Sequence, residues 1–398
     1  MKQPLEGVRV IDVSRLEIGA MATQILADLG ADVVKVEPLD GGEEIRRYLP
    51  RLGSDSAFVA ATFRNKRSIQ ADLKSDGGRR LVHDLVRRAD VFVEVSRRGV
   101  MHRLGLDYDT LRGLNPRLVY CSLLAFGNDG PYAQQTSHSP DVDYYAGVAS
   151  IAEDGVGGLR MTELVNVSAH AAASSAATGI LGALVGERMH GEGSYVEASM
   201  WDSAVTWDAI RATMVLNDTW FPGGSDLGTR ATPKHAAYAT SDGRTIVTSA
   251  IEPRYWRNFC NAIGLPELGE LVDGSGGATD FGGTFVGLYD RVAATMRERT
   301  ADEWEKVFAA ADVPFAVAKS RLEALESEQA ESRGLVWTLP DRNGEQFRTV
   351  GRSFLLDGDR GAVRRPVPAP GQHTDEVLAE LGYDDHRIAQ LRSDHAVG

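Results

Sequence analysis

Hydrophobic and polar positions along the chain fall into two alternating rhythms. "GVRVIDVS" (7–14) is a short β-branched run ending in a polar turn, which predicts a buried strand. "GAMATQILADLG" (19–30) follows with helical spacing and a terminating glycine, Gly30. "ADVVKVEP" (31–38) is a second strand, closed by Pro38. Strand, helix and strand within about 30 residues make a βαβ unit, hence a parallel sheet. The rhythm returns in helix 77–89 with strand 90–95, and again in "DYDTLRGLN" (107–115) with strand 117–127. A long helix rich in alanine, glycine and serine spans 168–191, and its small side chains suit close packing against a sheet or another chain. "GSYVEASMWDSAV" (193–205) reads as a strand running into a helix.

A glycine- and proline-rich connector, "NDTWFPGGSDLGTRATPK" (217–234), marks a boundary. Beyond it lie a strand at 243–250, helices at 254–264 and 301–311, and a surface loop at 274–283. "RRPVPAPGQHTDEVLAELGY" (364–383) joins an extended proline segment to a helix that starts at Thr374. The fold class is α/β, with a parallel sheet in the first part and a second, smaller α/β segment. No internal repeat is present.

Composition narrows the function. A chain of 398 residues fits two lobes better than one core. With 43% hydrophobic and 25% charged residues it has the balance of a soluble globular protein. A net charge of −13 and a pI near 5.2 argue against a nucleic-acid or membrane-surface binder, so an anionic ligand needs a local cationic pocket. Cys121 and Cys260 sit in apolar runs and read as buried free thiols of a reducing compartment. Neither has the basic or helix-start setting that activates a thiol. No apolar run reaches about 18 residues and the N-terminus lacks a signal-peptide core, so a cytoplasmic location is expected. The first turn, "SRLEIGAMA" (14–22), has one glycine where close approach to a pyrophosphate takes three, which argues against a nicotinamide cofactor.

Several phrases in series resemble the class III CoA-transferase family, which includes formyl-CoA, carnitine and bile-acid CoA-transferases and the related α-methylacyl-CoA racemases. They include "LEGVRVIDVSR", "ILADLGADVVKVEP", "RRGVMHRLGLDYDTLRGLNPRLVYCS", "FGNDGPY" and "PGQHTDEVLAELG", and they run in family order from residue 5 to residue 383. The resemblance implies a Rossmann-like large domain over 1–216, a small domain over 217–335 and a segment, 336–398, that returns to the large domain. It also implies an interlocked homodimer. Coenzyme A is expected as substrate and carrier, with an acyl-CoA donor, a small carboxylic acid acceptor and no metal.

The phosphates of coenzyme A call for cations. "RNKRS" (64–68) and "SRRGVMHR" (96–103) are dense basic clusters placed beyond strands or in loops, where ligands of open α/β sheets collect. Arginine suits phosphate because its planar fork donates two hydrogen bonds at once. The resemblance makes Arg97 and Arg103 CoA contacts, followed by Lys66, Arg67 and Met101, with Arg15 towards the pantetheine. The family's Asn-Phe-Arg-Pro-Gly turn reads "VSRRG" here, altered but with the arginine kept.

Chemistry concentrates in "TSHSPDVDYYAGVAS" (136–150). In the transferases an aspartate soon after "GPY" attacks the acyl-CoA, passing through a mixed anhydride and an aspartyl-CoA thioester. Ungapped counting puts that aspartate at Ser139, whereas a two-residue insertion puts it at Asp141. The gapped register also aligns Ala146 and Gly155, which favours Asp141, with Asp143 in reserve. Ser139-Pro140-Asp141 equally fits a plain helix-capping turn. His138 carries a rival function, thioester α-proton transfer in a racemase. The racemase's acidic partner falls at Ser168, with His170 only nearby, so that pair is half present. A catalytically silent CoA-binding paralogue is a third alternative. "FPGGSDLG" (221–228) is the nearest analogue of the family's glycine loop, and Trp201, Trp207, Trp220 and Phe221 lie where an acyl pocket could form.

Overall fold

The computed structural model describes residues 3–153, 157–161, 165–219, 233–271 and 287–398. The loop expected at 274–283, the "FPGGSDLG" segment, Trp220 and Phe221 lie outside the described residues. The chain divides into two compact units, 1–209 with 329–398, and 210–328. The second unit holds a three-stranded antiparallel sheet, His235–Ala239, Thr245–Ser249 and Phe315–Val317, packed on helices Pro253–Ala262 and Ala301–Ala310.

The first unit is built on six parallel strands: β1 (Arg9–Asp12), β2 (Asp32–Glu37), β3 (Lys66–Gln70), β4 (Val91–Glu94), β5 (Val119–Leu124) and β6 (Tyr195–Ser199). Their spatial order is β6-β5-β4-β1-β2-β3, so the chain reverses its direction of travel between β1 and β4. That is the doubly wound arrangement, whose crevice for ligands lies outside the carboxyl ends of the strands at the reversal.

Helices cover both faces of the sheet. On one, α1 (Leu16–Asp28) and α6 (Val167–His190) bury Val10, Val33, Val91 and Leu123. On the other, α2 (Asp76–Val86) packs with α3 (Val100–Leu104), α4 (Tyr108–Leu114) and the C-terminal α8 (Thr374–Glu380) over Ile11, Val34 and Phe92. On the α1 and α6 side also lie α5 (Ser139–Tyr145) and α7 (Met200–Trp207), whose Val142 and Met200 join the same core. By length and a mean hydropathy of 1.2, α6 could cross a membrane. In the fold its Ala169, Ala172, Ala173 and Ala176 instead lie in the main core beside α1.

Two expectations change. Lys66 and Arg67 are not in a loop: they open β3, the edge strand, and each is drawn to carboxylates on its own face. Helix α1 also starts at Leu16, ahead of the expected Gly19, with Leu16 at φ +62°. A branched residue at that angle is strained. The early start places "LE" of "SRLEIG" at the helix entrance.

Beneath this entrance is a fully buried ion cluster. Asp12 and Lys35 are register partners on β1 and β2, and Lys66 lies on the same face one strand further. Asp12 accepts from Lys35 Nζ at 3.1 Å, from the Ser14 hydroxyl and from Thr23 Oγ1 at 2.6 Å, with Lys66 Nζ at 3.6 Å. Lys66 also donates to Ala20 O and Thr23 Oγ1 of α1, which ties the helix to the edge strand. Burial pushes the Asp12 carboxyl up, but Lys35, Lys66 and the hydroxyls of Ser14 and Thr23 outweigh it and hold it below its usual range. For Lys66 burial wins over Asp12, bringing the ammonium down to about 8.

Gly19 lets α1 sit this close. A Cβ there would fall 2.2 Å from the Ser14 side chain and 3.0 Å from Val95, the residue after β4. Ser14 is held by Asp12 and has no room to turn. Gly19→Ala is expected to cost about 1–3 kcal/mol through overpacking, read as a lowered melting temperature by circular dichroism.

Candidate active site

A cavity of about 330 Å³ opens at the carboxyl ends of β1, β4, β5 and β6, at the chain reversal. Leu16–Ile18 after β1, Val95–Arg97 after β4, Leu123–Gly127 at β5 and Met200 after β6 form its walls. Residues Ser137–Pro140, Asn166 and Ala169 come from the entries to α5 and α6, and Ile45, Tyr48 and Phe58 complete it. The walls are mostly apolar, with a few polar groups converging, as expected of a small-molecule site.

The cavity wall carries few charges. Arg97 is exposed and its guanidinium has no ion pair or hydrogen bond among the described residues; the side chains of Arg98 and Arg103, also exposed, share that condition. Three unpaired guanidiniums, two in the turn after β4 and one on α3 that follows it, contrast with the pairing of arginines elsewhere in the unit, such as Arg46, Arg64 and Arg67. Among the described residues Glu17 is the one carboxylate of the wall, and its Oε1 accepts from Ser139 Oγ at 3.2 Å and Asn166 Nδ2 at 3.4 Å.

Of the residues singled out by sequence, the structure brings Arg97 and His138 to the cavity. It does not bring Asp141 there. Asp141 is exposed, and its carboxylate accepts the His138 N–H at 2.9 Å, capping its own helix α5. Asp143 is wholly buried and caps a different helix, accepting from Val167 N at 3.1 Å and Ser168 N at 2.7 Å at the start of α6. Two backbone donors at the positive end of a 24-residue helix keep that carboxylate occupied. Ser168 is buried and donates its hydroxyl to Ser139 O, while His170 is exposed and hydrogen-bonds Asn166 O.

The "RNKRS" cluster belongs to the frame. Arg64 pairs with Asp28, Lys66 with Asp12, and Arg67 with Asp32, Glu376 and Glu380, all buried at the cation. Neither Lys66 nor Arg67 reaches the cavity. Met101 is buried in the core on the far face of the sheet, and Arg15 is exposed and paired with Glu44. Trp201 packs against the main core and Trp207 is exposed, so neither lines the cavity.

Glu17 is the functional candidate that sequence reasoning passed over. The signal was present in "SRLEIGAMA", a carboxylate in the turn directly after β1, where an open sheet presents its ligands.

The two cysteines are inert. Burial, then the nearby Glu94 carboxylate, pushes Cys121 up to about 12, and burial does the same for Cys260. No group of three or more potential metal ligands occurs among the described residues.

The site and sheet together define a doubly wound α/β protein with a largely apolar cavity at its switch point and a cationic turn beside it. Comparison with known proteins names the class: the profile of CoA-transferase family III matches residues 5–374, and the chain belongs to that family. A succinate–glutarate CoA-transferase of Agrobacterium fabrum is 33% identical, covering 96% of this chain and 96% of its own. The human α-methylacyl-CoA racemase is 27% identical over 99% of this chain and 97% of its own. The crystal structure of Rv3272 from Mycobacterium tuberculosis superposes with a TM-score of 0.81 at 28% identity, covering 95% of this chain and 99% of that one.

Glu94, at the end of β4, offers a check on this region. Burial lifts its carboxyl from 4.5 to about 7, although Ser122 and Ser96 hydrogen-bond it and pull it down. Its Oε2 is buried without a hydrogen-bond partner among the described residues. The folded carboxyl holds its proton more tightly than the unfolded one. The stability it supplies is therefore complete below pH 4.5 and lost as pH rises through about 7. Moving a carboxyl from 4.5 to about 7 corresponds to about 3 kcal/mol. Glu94→Gln is expected to flatten that part of the pH–stability profile and to raise the melting temperature at pH 8, as followed by calorimetry across pH 4–8.

Proposed function

We propose that this protein is an acyl-CoA:carboxylate CoA-transferase, with the acyl thioester held in the switch-point cavity. The observation that carries this reading is the cavity itself: apolar walls, one carboxylate and an unpaired arginine at the carboxyl ends of the strands, in a family III chain. Coenzyme A brings anionic phosphates, and Arg97, with Arg103 on the following helix α3, supplies free guanidinium donors for them. An enzyme carboxylate attacks the thioester, and the energy of the C–S bond is kept in an anhydride and then an enzyme–CoA thioester. Asp141 and Asp143 hold helix ends, so the transfer is assigned to neither.

The donor and acceptor are small acids. The name of the Agrobacterium relative makes succinyl-CoA and glutarate the first pair to try in a mass-spectrometric donor–acceptor screen. Productive transfer with any pair supports the function, and none across the panel refutes it. We also propose the interlocked homodimer. Val185 and Met189 on α6 are 60% and 71% exposed, an apolar face that a second chain would cover.

A racemase is the second reading, favoured by His138 on the cavity wall. It requires α-proton exchange of a 2-methylacyl-CoA with deuterated water in the absence of an acceptor acid. No exchange is expected.

Removing the rim cation should weaken binding without abolishing chemistry. Arg97→Ala is expected to raise the Kd for CoA roughly 10-fold or more, the loss of one charge-assisted contact. Calorimetry at two salt concentrations checks this: the difference from wild type should shrink as salt rises.

A further inference from the structure

We propose that Glu17 is the nucleophile of the transfer, an inference that rests on the transferase function above. Four observations converge. Glu17 is the one carboxylate of the cavity wall among the described residues, whereas Asp141 faces solvent and Asp143 caps α6. Ser139 and Asn166 both hold the same oxygen, Oε1, and Oε2 has no hydrogen bond among the described residues. One oxygen is thereby oriented and the other left for attack. Glu17 lies in the first turn of α1, where the helix favours an anion. Finally, Leu16 carries a φ of +62°, a strained backbone held in place by its N–H on Glu43. Strain of this kind persists where surrounding structure over-determines a site, and here it fixes the residue next to Glu17.

The chemistry balances without a further reactant. Glu17 Oε2 attacks the thioester carbonyl carbon, the C–S bond breaks, and CoA leaves as a thiolate from a glutamyl–acyl anhydride. The thiolate then attacks the Glu17 carbonyl, expelling the donor carboxylate and forming a glutamyl-CoA thioester. The acceptor carboxylate displaces the thiolate to give a second anhydride. The thiolate closes the cycle on the acceptor's acyl carbon, restoring the Glu17 carboxylate. Ser139 is a positioning residue, holding Oε1 so that Oε2 keeps its aim.

The test uses the full-length protein with succinyl-CoA and glutarate, or the best pair from the screen. Glutarate labelled with ¹⁸O is expected to leave ¹⁸O in the residue 17 carboxylate after turnover, located by peptide mass spectrometry. Borohydride quenching should likewise map to residue 17. Glu17→Gln is expected to lower kcat at least 1,000-fold while the Kd for CoA changes less than threefold, and Glu17→Asp should retain measurable transfer. Asp141→Asn should keep transfer within threefold of wild type. Label at residue 141, or Glu17→Gln transferring within tenfold of wild type, would overturn the role of Glu17 and leave the transferase function standing. Should the wild type bind CoA yet neither transfer nor take up label with any pair, both fall. If Glu17→Gln loses its cooperative melt, the labelling of wild type decides alone.

Discussion

The Asp12–Lys35–Lys66 cluster is the constraint on which the site depends. Two lysines on neighbouring strands point to the same face of the sheet, under α1, with no access to water. Buried ammonium groups are tolerated only when paired and hydrogen-bonded, and removal of one partner of such a set typically costs about 3–5 kcal/mol. Asp12 supplies the pairing, and Ser14, Thr23 and the Ala20 carbonyl supply the hydrogen bonds. Those groups belong to β1, the turn after it and the opening of α1. Satisfying the two lysines therefore fixes where α1 begins, and with it the path of Leu16 and Glu17 at the cavity mouth.

Helix ends impose the second constraint, because they compete with chemistry for carboxylates. Asn166 leaves the entrance of α6 without a side-chain cap of its own. Four N–H groups at the start of a helix lack internal partners, and two buried ones left unmet would each cost about 1–3 kcal/mol. Asp143 meets two of them from the neighbouring α5. Asp141 meets one at the entrance of α5 itself. A carboxylate engaged in this way cannot move without fraying a helix. Glu17 accepts from two side chains on one oxygen and caps nothing.

This division explains what could be read in the sequence. The βαβ rhythm, the long small-residue helix and the helix from Thr374 were legible, since each rests on local spacing that the fold keeps. The edge strand β3 was not, because "KRSIQ" opens with two cations and carries the polarity of a loop. It becomes a strand through partners far off in sequence: Asp12 on one face, and Glu376 and Glu380 on the other. The same long-range pairing keeps Lys66 and Arg67 from the cavity, while Arg97, with no carboxylate in ion-pair range among the described residues, remains at its wall. In "SHSPDVD" the residue types suited capping and catalysis equally, and only the positions of α5 and α6 separate the two. The placement of Glu17 at the cavity needed the position of β1 in the sheet, which spacing alone does not supply.

As the transferase we propose, an acidic protein must still admit a polyanion. With a net charge of −13 the long-range field repels coenzyme A, so capture falls to short-range contacts within about 8 Å at physiological salt. Arg97, Arg98 and Arg103 provide these at one strand end, and carboxylates elsewhere neutralise Arg64, Lys66 and Arg67. The cationic turn and the carboxylate then flank the chain reversal from its two sides, after β4 and after β1. Beyond them the walls turn apolar, with Leu123, Leu124, Phe126 and Met200 lining the space. A lower local dielectric strengthens each remaining polar contact and keeps water from the anhydride, which hydrolysis would otherwise drain. In the proposed transferase, phosphates would be held where charge is free and solvated, and the acyl group where water is scarce. A thioester set across that boundary would present its carbonyl at the mouth of the cavity, beside the turn that carries Glu17.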